Sequence, residues 1–237
     1  MLVNINSKDL TVSYDQFIAL DSINFSLTGE VFSLVGHNGS GKSTLIKTIL
    51  DLVNINAGYI QISDSNGKVV LPSQMIFAPE TGSVFRDISI KDYFKLWYDI
   101  KNFDYIANKD HIDMIFDRLE INNLMHKNGR ELSKGQKRRV QAALGFIFRP
   151  ALFLMDEPFD GLDISQTEIL LDLIRMHKSD IAYLISTHRM EIVQEISDQI
   201  IILKEKKLLY AGDLKLLCTN EADHKTSFLA KLNKLLK

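Results

Sequence analysis

Apolar and polar positions alternate near the start of the chain with the two-residue period of a half-buried strand. Asp9-Leu10-Thr11-Val12-Ser13-Tyr14 shows this period, and Ile23-Asn24-Phe25-Ser26-Leu27 repeats it before a turn at Thr28-Gly29-Glu30. Val31-Phe32-Ser33-Leu34-Val35 is a short apolar run ending at Gly36, the pattern of a buried strand entering a glycine loop. From Thr44 to Leu52 the period lengthens, and Leu45, Ile49 and Leu52 fall on one face of a predicted helix. Ala151–Met155, Ile181–Ile185 and Ile200–Leu203 predict three further buried strands, the first two separated by a helical stretch from Ser165 to His177. Such alternation argues for a mainly parallel α/β sheet with right-handed crossovers. Between Phe85 and Arg149 the pattern is charged, aromatic and helical, with Tyr93, Phe94, Trp97 and Tyr98 close together. This region reads as a helical insertion.

Composition narrows the class. The 237 residues are 46% hydrophobic and 24% charged, a globular balance with enough length to bury a core unaided by disulfides or metals. Basic and acidic residues number 28 and 30, for a net charge of −2, so bulk attraction to nucleic acid is not expected. Cys218 is the one cysteine, which excludes a disulfide framework and fits a reducing compartment. No apolar run reaches the roughly 18 residues of a membrane span, and Met1–Asn6 lacks the features of a signal peptide. A cytosolic chain is expected.

Gly36-His37-Asn38-Gly39-Ser40-Gly41-Lys42-Ser43-Thr44 fits the phosphate-loop pattern of Gly, four residues, Gly, Lys and Ser/Thr. Its glycines let the backbone turn tightly and aim N–H groups at one centre, beside a helix N-terminus that favours an anion. Lys42 would reach the β- and γ-phosphates, and the Ser43 hydroxyl would ligate Mg²⁺. A chance match in a chain of this length has a probability on the order of 1%. The flanking strand and helix supply the context that the motif requires.

Leu152-Phe153-Leu154-Met155-Asp156-Glu157 delivers two carboxylates to the strand ends where ligands gather in such sheets. Asp156 would hold Mg²⁺ through its water shell. Glu157, expected to be extended because Pro158 follows, would polarise an attacking water. Ser133 with Gln136 three residues on reads as a capping box opening a helix that runs to Phe148.

Leu132-Ser133-Lys134-Gly135-Gln136 resembles the Leu-Ser-Gly-Gly-Gln signature of the ATP-binding cassette family. Tyr14 fits that family's adenine-stacking aromatic, Gly36–Thr44 its phosphate loop, and Ala151–Glu157 its Walker B strand. Asp160-Gly161-Leu162-Asp163 resembles the D-loop, and His188 the switch histidine. The resemblance covers almost the whole chain. It implies a P-loop NTPase (RecA-like) α/β core with an N-terminal antiparallel β subdomain and an inserted α-helical signature subdomain. The implied boundaries are 1–84 and 150–215 for the core, 85–149 for the helical part and 216–237 for a tail.

The resemblance further implies an ATPase using ATP and Mg²⁺, with Glu157 and His188 catalytic and Ser43, Glu80 and Asp156 at the metal. Tyr14, Gly36–Thr44, Ser133, Gly135, Gln136 and Asp163 would contact nucleotide, with the Ser133 hydroxyl, the Gly135 N–H and their helix N-terminus facing a γ-phosphate across a head-to-tail pair of cassettes. The implied partners are a second cassette, as a homodimer, and an integral membrane permease, which places the chain on the cytoplasmic face of the membrane. No nucleic-acid partner is expected. The rival readings are a soluble cassette acting on ribosomes or DNA, and a switch without turnover. One cassette and an insertion of only about 60 residues weigh against the first, an intact Glu157 and His188 against the second.

Lys134 replaces a signature glycine, and His37 occupies a variable loop position. In Gln74-Met75-Ile76-Phe77-Ala78-Pro79-Glu80, a glutamate stands where the family usually has glutamine, a pattern similar to ATPases of ABC-2-type exporters. Val84, Phe85, Tyr93, Phe94, Trp97 and Tyr98 are expected to line an exposed apolar groove for the permease. Arg130, Lys134, Lys137, Arg138 and Arg139 read as the solvated side of the signature helix. His111, His126, His177 and His224 read as surface residues, and Glu221–Lys237 as a short amphipathic helix.

Overall fold

The computed structural model describes residues 1–81 and 84–219. Strand β1 (Val3–Tyr14) pairs antiparallel with β2 (Phe17–Gly29) through a tight turn that sets Tyr14 opposite Phe17. On its other edge β1 pairs antiparallel with β4 (Ala57–Asp64), giving a three-stranded sheet ordered β2-β1-β4. The predicted alternation holds, and Val3, Ile5, Leu10 and Val12 point into the core.

The second sheet has six strands, ordered β5-β6-β7-β3-β8-β9. They are β3 (Val31–Val35), β5 (Met75–Ala78), β6 (Leu152–Asp156), β7 (Ala182–Ser186), β8 (Gln199–Lys204) and β9 (Lys207–Asp213). All pairs are parallel except β8 with β9. Parallel strands are covered on both faces, which explains their continuous apolar runs. Phe153, Met155, Tyr183 and Ile185 face the helices of the insertion; Leu152, Leu154, Leu184 and Leu34 face the three-stranded sheet. Register sets Asp156 beside Ser186, and Ser186 beside Leu34. The ends of β6, β7 and β3 therefore form one ledge.

Helix α1 (Lys42–Ile49) follows the glycine loop. It stops short of the predicted Leu52, because Asp51 adopts a left-handed φ of 57° and leaves Leu52 exposed. Between β5 and β6 lie α2 (Ile90–Ile100), α3 (Lys109–Arg118) and α4 (Lys134–Phe148). The expected capping box opens α4: Ser133 Oγ accepts from Gln136 N at 3.2 Å, and Gln136 Oε1 accepts from Ser133 N at 3.0 Å. Gly145 lets α4 press onto β6, since a Cβ there would lie 2.0 Å from Phe153 Cε1. Helices α5 (Ile164–His177), α6 (Met190–Ile196) and α7 (Leu214–Thr219) complete the fold. Among the described residues, no helix is long and apolar enough to cross a membrane.

Three sequence expectations need correction. Tyr93 and Phe94 are core residues and Trp97 and Tyr98 pack partly buried against them, so this group does not line an exposed groove; Val84 is also buried, whereas Phe85 is exposed. The cause is the cover provided by α3 and α4, whose Phe116 and Phe148 ring centroids lie 4.8 Å from Phe94 and 5.9 Å from Tyr98. Arg138 is 5% exposed and belongs to the interior, not the solvated side of α4. His177 is likewise buried, packed against His111 and Phe146 with ring centroids 5.4 and 5.6 Å away, and His111 Nε2 lies 3.0 Å from Phe146 O. The tail from Glu221 to Lys237 and His224 lie outside the described residues.

Candidate nucleotide site

The glycine loop leaves β3 and ends at Gly41, the N-cap of α1, with φ of 108°. A side chain there would meet Leu20 Cδ2 at 2.7 Å and Ala19 O at 2.8 Å, so conformation and space both require glycine. Lys42 is buried, and its Nζ donates to Gly36 O at 2.8 Å and His37 O at 3.3 Å. The lysine thus folds back onto the loop, held by these carbonyls against the positive end of α1.

Asp156 ties this loop to the sheet. Its Oδ2 accepts from Ser43 Oγ at 2.8 Å, and its Oδ1 accepts from Ser186 Oγ. Glu157 N donates to Ser186 Oγ at 2.9 Å and to Ser186 O at 3.1 Å. Glu157 is not extended as expected: its φ is 49°, in the left-handed region. Pro158 disfavours the right-handed helical region for Glu157, and the grip of Ser186 on its N–H selects the left-handed alternative. The carboxylate then meets His188, whose Nδ1 lies 3.0 Å from Glu157 Oε2 and whose Nε2 lies 3.8 Å from Asp160 Oδ1.

Two adjoining clefts open over this ledge. One, of about 460 Å³, is lined by Tyr14, Phe17, Ile18, Gly39, Lys42, Ser43, Thr44, Glu80, Asp156, Glu157 and Lys206, and falls in the size range of ligand sites. The other is lined by Gly36, His37, Asn38, Glu80, Glu157, Asp160 and His188. Tyr14 stands at a strand end, 44% exposed. Ser40 is buried, with its N–H donating to His37 O at 3.1 Å.

Two predicted groups stand apart. No residue of Leu132–Gln136 lines these clefts, and Ser133 and Lys134 are exposed at the start of α4. Asp163 caps α5, accepting from Gln166 N at 2.8 Å, and lines neither cleft.

Sequence reasoning missed several lining residues. Phe17 sits across the β1–β2 turn from Tyr14, and Lys206 projects from the β8–β9 turn; neither belongs to a motif. Asp160 belongs to the D-loop-like run, whose spacing alone does not single it out, and it lines the second cleft with His188. Ser186 is found only through the strand register.

Comparison with known proteins agrees with this geometry. The profile of the ABC transporter family matches residues 20–160. An uncharacterized ABC transporter ATP-binding protein of Methanocaldococcus jannaschii is 30% identical, over 94% of this chain and 82% of that protein. The zinc import ATP-binding protein ZnuC of Wigglesworthia glossinidia brevipalpis is 29% identical, over 90% of this chain and 88% of its own. A solved structure of the ATP-binding subunit of an ABC transporter superposes with a TM-score of 0.88 at 25% identity, over 98% of this chain and 99% of that one. Phosphate loop, carboxylate ledge, strand order and relatives agree, and the chain belongs to the ABC transporter family as an ATP-binding subunit with ATPase activity.

Proposed function

We propose that ATP is hydrolysed at a site completed by a second copy of the chain in head-to-tail orientation, and that this drives a separate membrane permease from its cytoplasmic face. The observation that carries the reading is the isolation of Ser133–Gln136 from the phosphate loop, with Ser133 exposed at the N-terminus of a fifteen-residue helix. Such a helix start offers N–H groups and a positive dipole end to a phosphate brought by another molecule. Residues 1–237 would form one ATPase domain divided at the boundaries the resemblance implies.

Within each site, Tyr14 would stack on adenine, Gly36–Thr44 would cradle the phosphates, and Lys42 would exchange its loop carbonyls for phosphate oxygens. Glu157 would orient and deprotonate water, and His188 would contact the γ-phosphate. Ser43 Oγ and Asp156 Oδ2 converge as hard oxygen donors beside the Glu80 carboxylate, a set that suits Mg²⁺. When bound, Mg²⁺ would offset charge on the phosphates. Asp163 would act across the pair, although its own chain uses it as a helix cap.

The direction of transport rests on two different signals. Glu80 after Pro79 supports export, and we propose export on that ground. The likeness to a zinc import protein favours import as the second reading. Vesicles containing the co-purified permease, loaded on one side with ATP, separate the two by the side on which substrate accumulates.

Head-to-tail pairing is tested by mixing two inactive variants, Lys42→Ala and Ser133→Glu. In a mixed pair one site carries both defects and the other carries neither, so ATPase activity should reappear on mixing. Two folded variants that stay inactive together would overturn the pairing.

A further inference from the structure

Arg138 lies on the buried side of α4, and its guanidinium reaches out of the helix toward the nucleotide ledge. Nη1 donates to Asp160 O, and Nη2 donates to Glu80 O at 3.3 Å. Both acceptors are backbone carbonyls, each in a loop that follows a neighbouring strand, β6 or β5. The carboxylates of Asp160, Glu80, Glu157 and Asp156 act on the same guanidinium through space and partly offset its desolvation. A cation placed there only to balance charge would pair directly with a carboxylate. This one grips loop backbone with its planar fork, the geometry that distinguishes arginine from lysine.

The third side of the guanidinium faces a small cavity. Arg138 Nε, Gln141 Oε1 and Gln166 Oε1 are buried without a hydrogen-bond partner in the protein, and all three residues line one cavity of about 10 Å³. A single water there would accept one hydrogen bond and donate two, matching the one donor and two acceptors offered. The start of α4 touches the Asp160 loop again at Gly135, where a Cβ would lie 2.9 Å from Gly161 O.

We propose that Arg138 is a positioning residue that ties the Glu80 loop and the Asp160 loop to α4, so that signature helix and catalytic ledge move as one body. The proposal deepens the reading of paired sites, since it explains how engagement of Ser133 by ATP on another copy would be felt at Glu157. Arg138 lines neither cleft of the nucleotide site; it acts through the loops that carry Glu80 and Asp160.

The test compares Arg138→Met and Arg138→Lys with the wild type by steady-state ATPase kinetics and thermal unfolding. Methionine fills similar space but leaves the Asp160 and Glu80 carbonyls without their donor, so the unfolding midpoint should fall, and kcat is read well below the midpoint of each variant. The expected result is kcat lower by about tenfold or more with KM for ATP within about twofold, because misplaced catalytic groups cost rate and not binding. Arg138→Lys should recover part of kcat, since an ammonium can reach one carbonyl at a time. Wild-type kcat in Arg138→Met would overturn the proposal, as would a kcat loss no larger than the fraction unfolded at the assay temperature in both variants. The outcome is independent of the mixing experiment: failure of Lys42→Ala and Ser133→Glu to complement would remove the pairing and leave the Arg138 effect on basal kcat standing.

Discussion

His188 Nδ1 and Glu157 Oε2 lie 3.0 Å apart, although one residue lies in the loop after β7 and the other opens the loop after β6. The imidazole is largely exposed and the carboxylate largely covered, so the pair presents one polar edge to the cleft. Glu157→Gln keeps the shape of this edge and removes the carboxylate proposed as the base. Turnover should fall by about 10²-fold or more, with ATP affinity retained in a fluorescent-nucleotide titration. His188→Ala should also lower kcat, while leaving the unfolding midpoint nearly unchanged because the ring is exposed.

Tyr14 and Phe17 face one another across the β1–β2 turn and line the same cleft. Stacking on a base is worth roughly 1–3 kcal/mol. Tyr14→Ala should therefore raise KM for ATP by about fivefold or more and leave saturated turnover near wild type. Both rings are exposed, so neither alanine variant should shift thermal unfolding by more than about 0.5 kcal/mol.

Gly145 is a packing contact, with no room for a methyl group against Phe153. Gly145→Ala should destabilise the fold by about 1–3 kcal/mol, read as a lower midpoint in chemical denaturation. Nucleotide affinity should be less affected, because the clash lies below the ledge and away from α1.

Burial lowers the pKa of His177 from 6.5, with further lowering from His111, Arg149 and Arg118 and an opposing effect of Asp180. The His111 imidazole is also shifted down, again chiefly by burial. The unfolded chain therefore binds protons first as pH falls. Their contribution is complete above about pH 6.5 and is lost as pH drops from there toward the folded-state values. Thermal midpoints measured between pH 7.5 and 5 should decline less steeply in His177→Phe than in wild type.

Local spacing carried much of the site. The run Gly36 to Thr44 is contiguous, so its geometry is contained in its own residues, and the Ser133–Gln136 box opens α4 as its spacing demands. Ser186 was hidden because its contact with Asp156 depends on which strands become neighbours, thirty residues apart in sequence. The backbone of Glu157 was misjudged because a following proline removes one conformation and leaves two. The aromatic group at Tyr93–Tyr98 has the helical period of a face that must be covered. That period cannot distinguish a cover of α3 and α4 from one supplied by another protein.

Strand β5 sits at the rim of the six-stranded sheet, paired on one side only, and is four residues long. The backbone of the Glu80 loop that leaves it is therefore continued from a single short ladder, whereas Asp156 ends a strand hydrogen-bonded on both sides. Shifting the first sacrifices few backbone hydrogen bonds; shifting the second would tear the middle of the sheet. The fold thus sets a stationary floor beside a margin that its own ladder holds only lightly, and Arg138 supplies from α4 the restraint that the rim strand lacks.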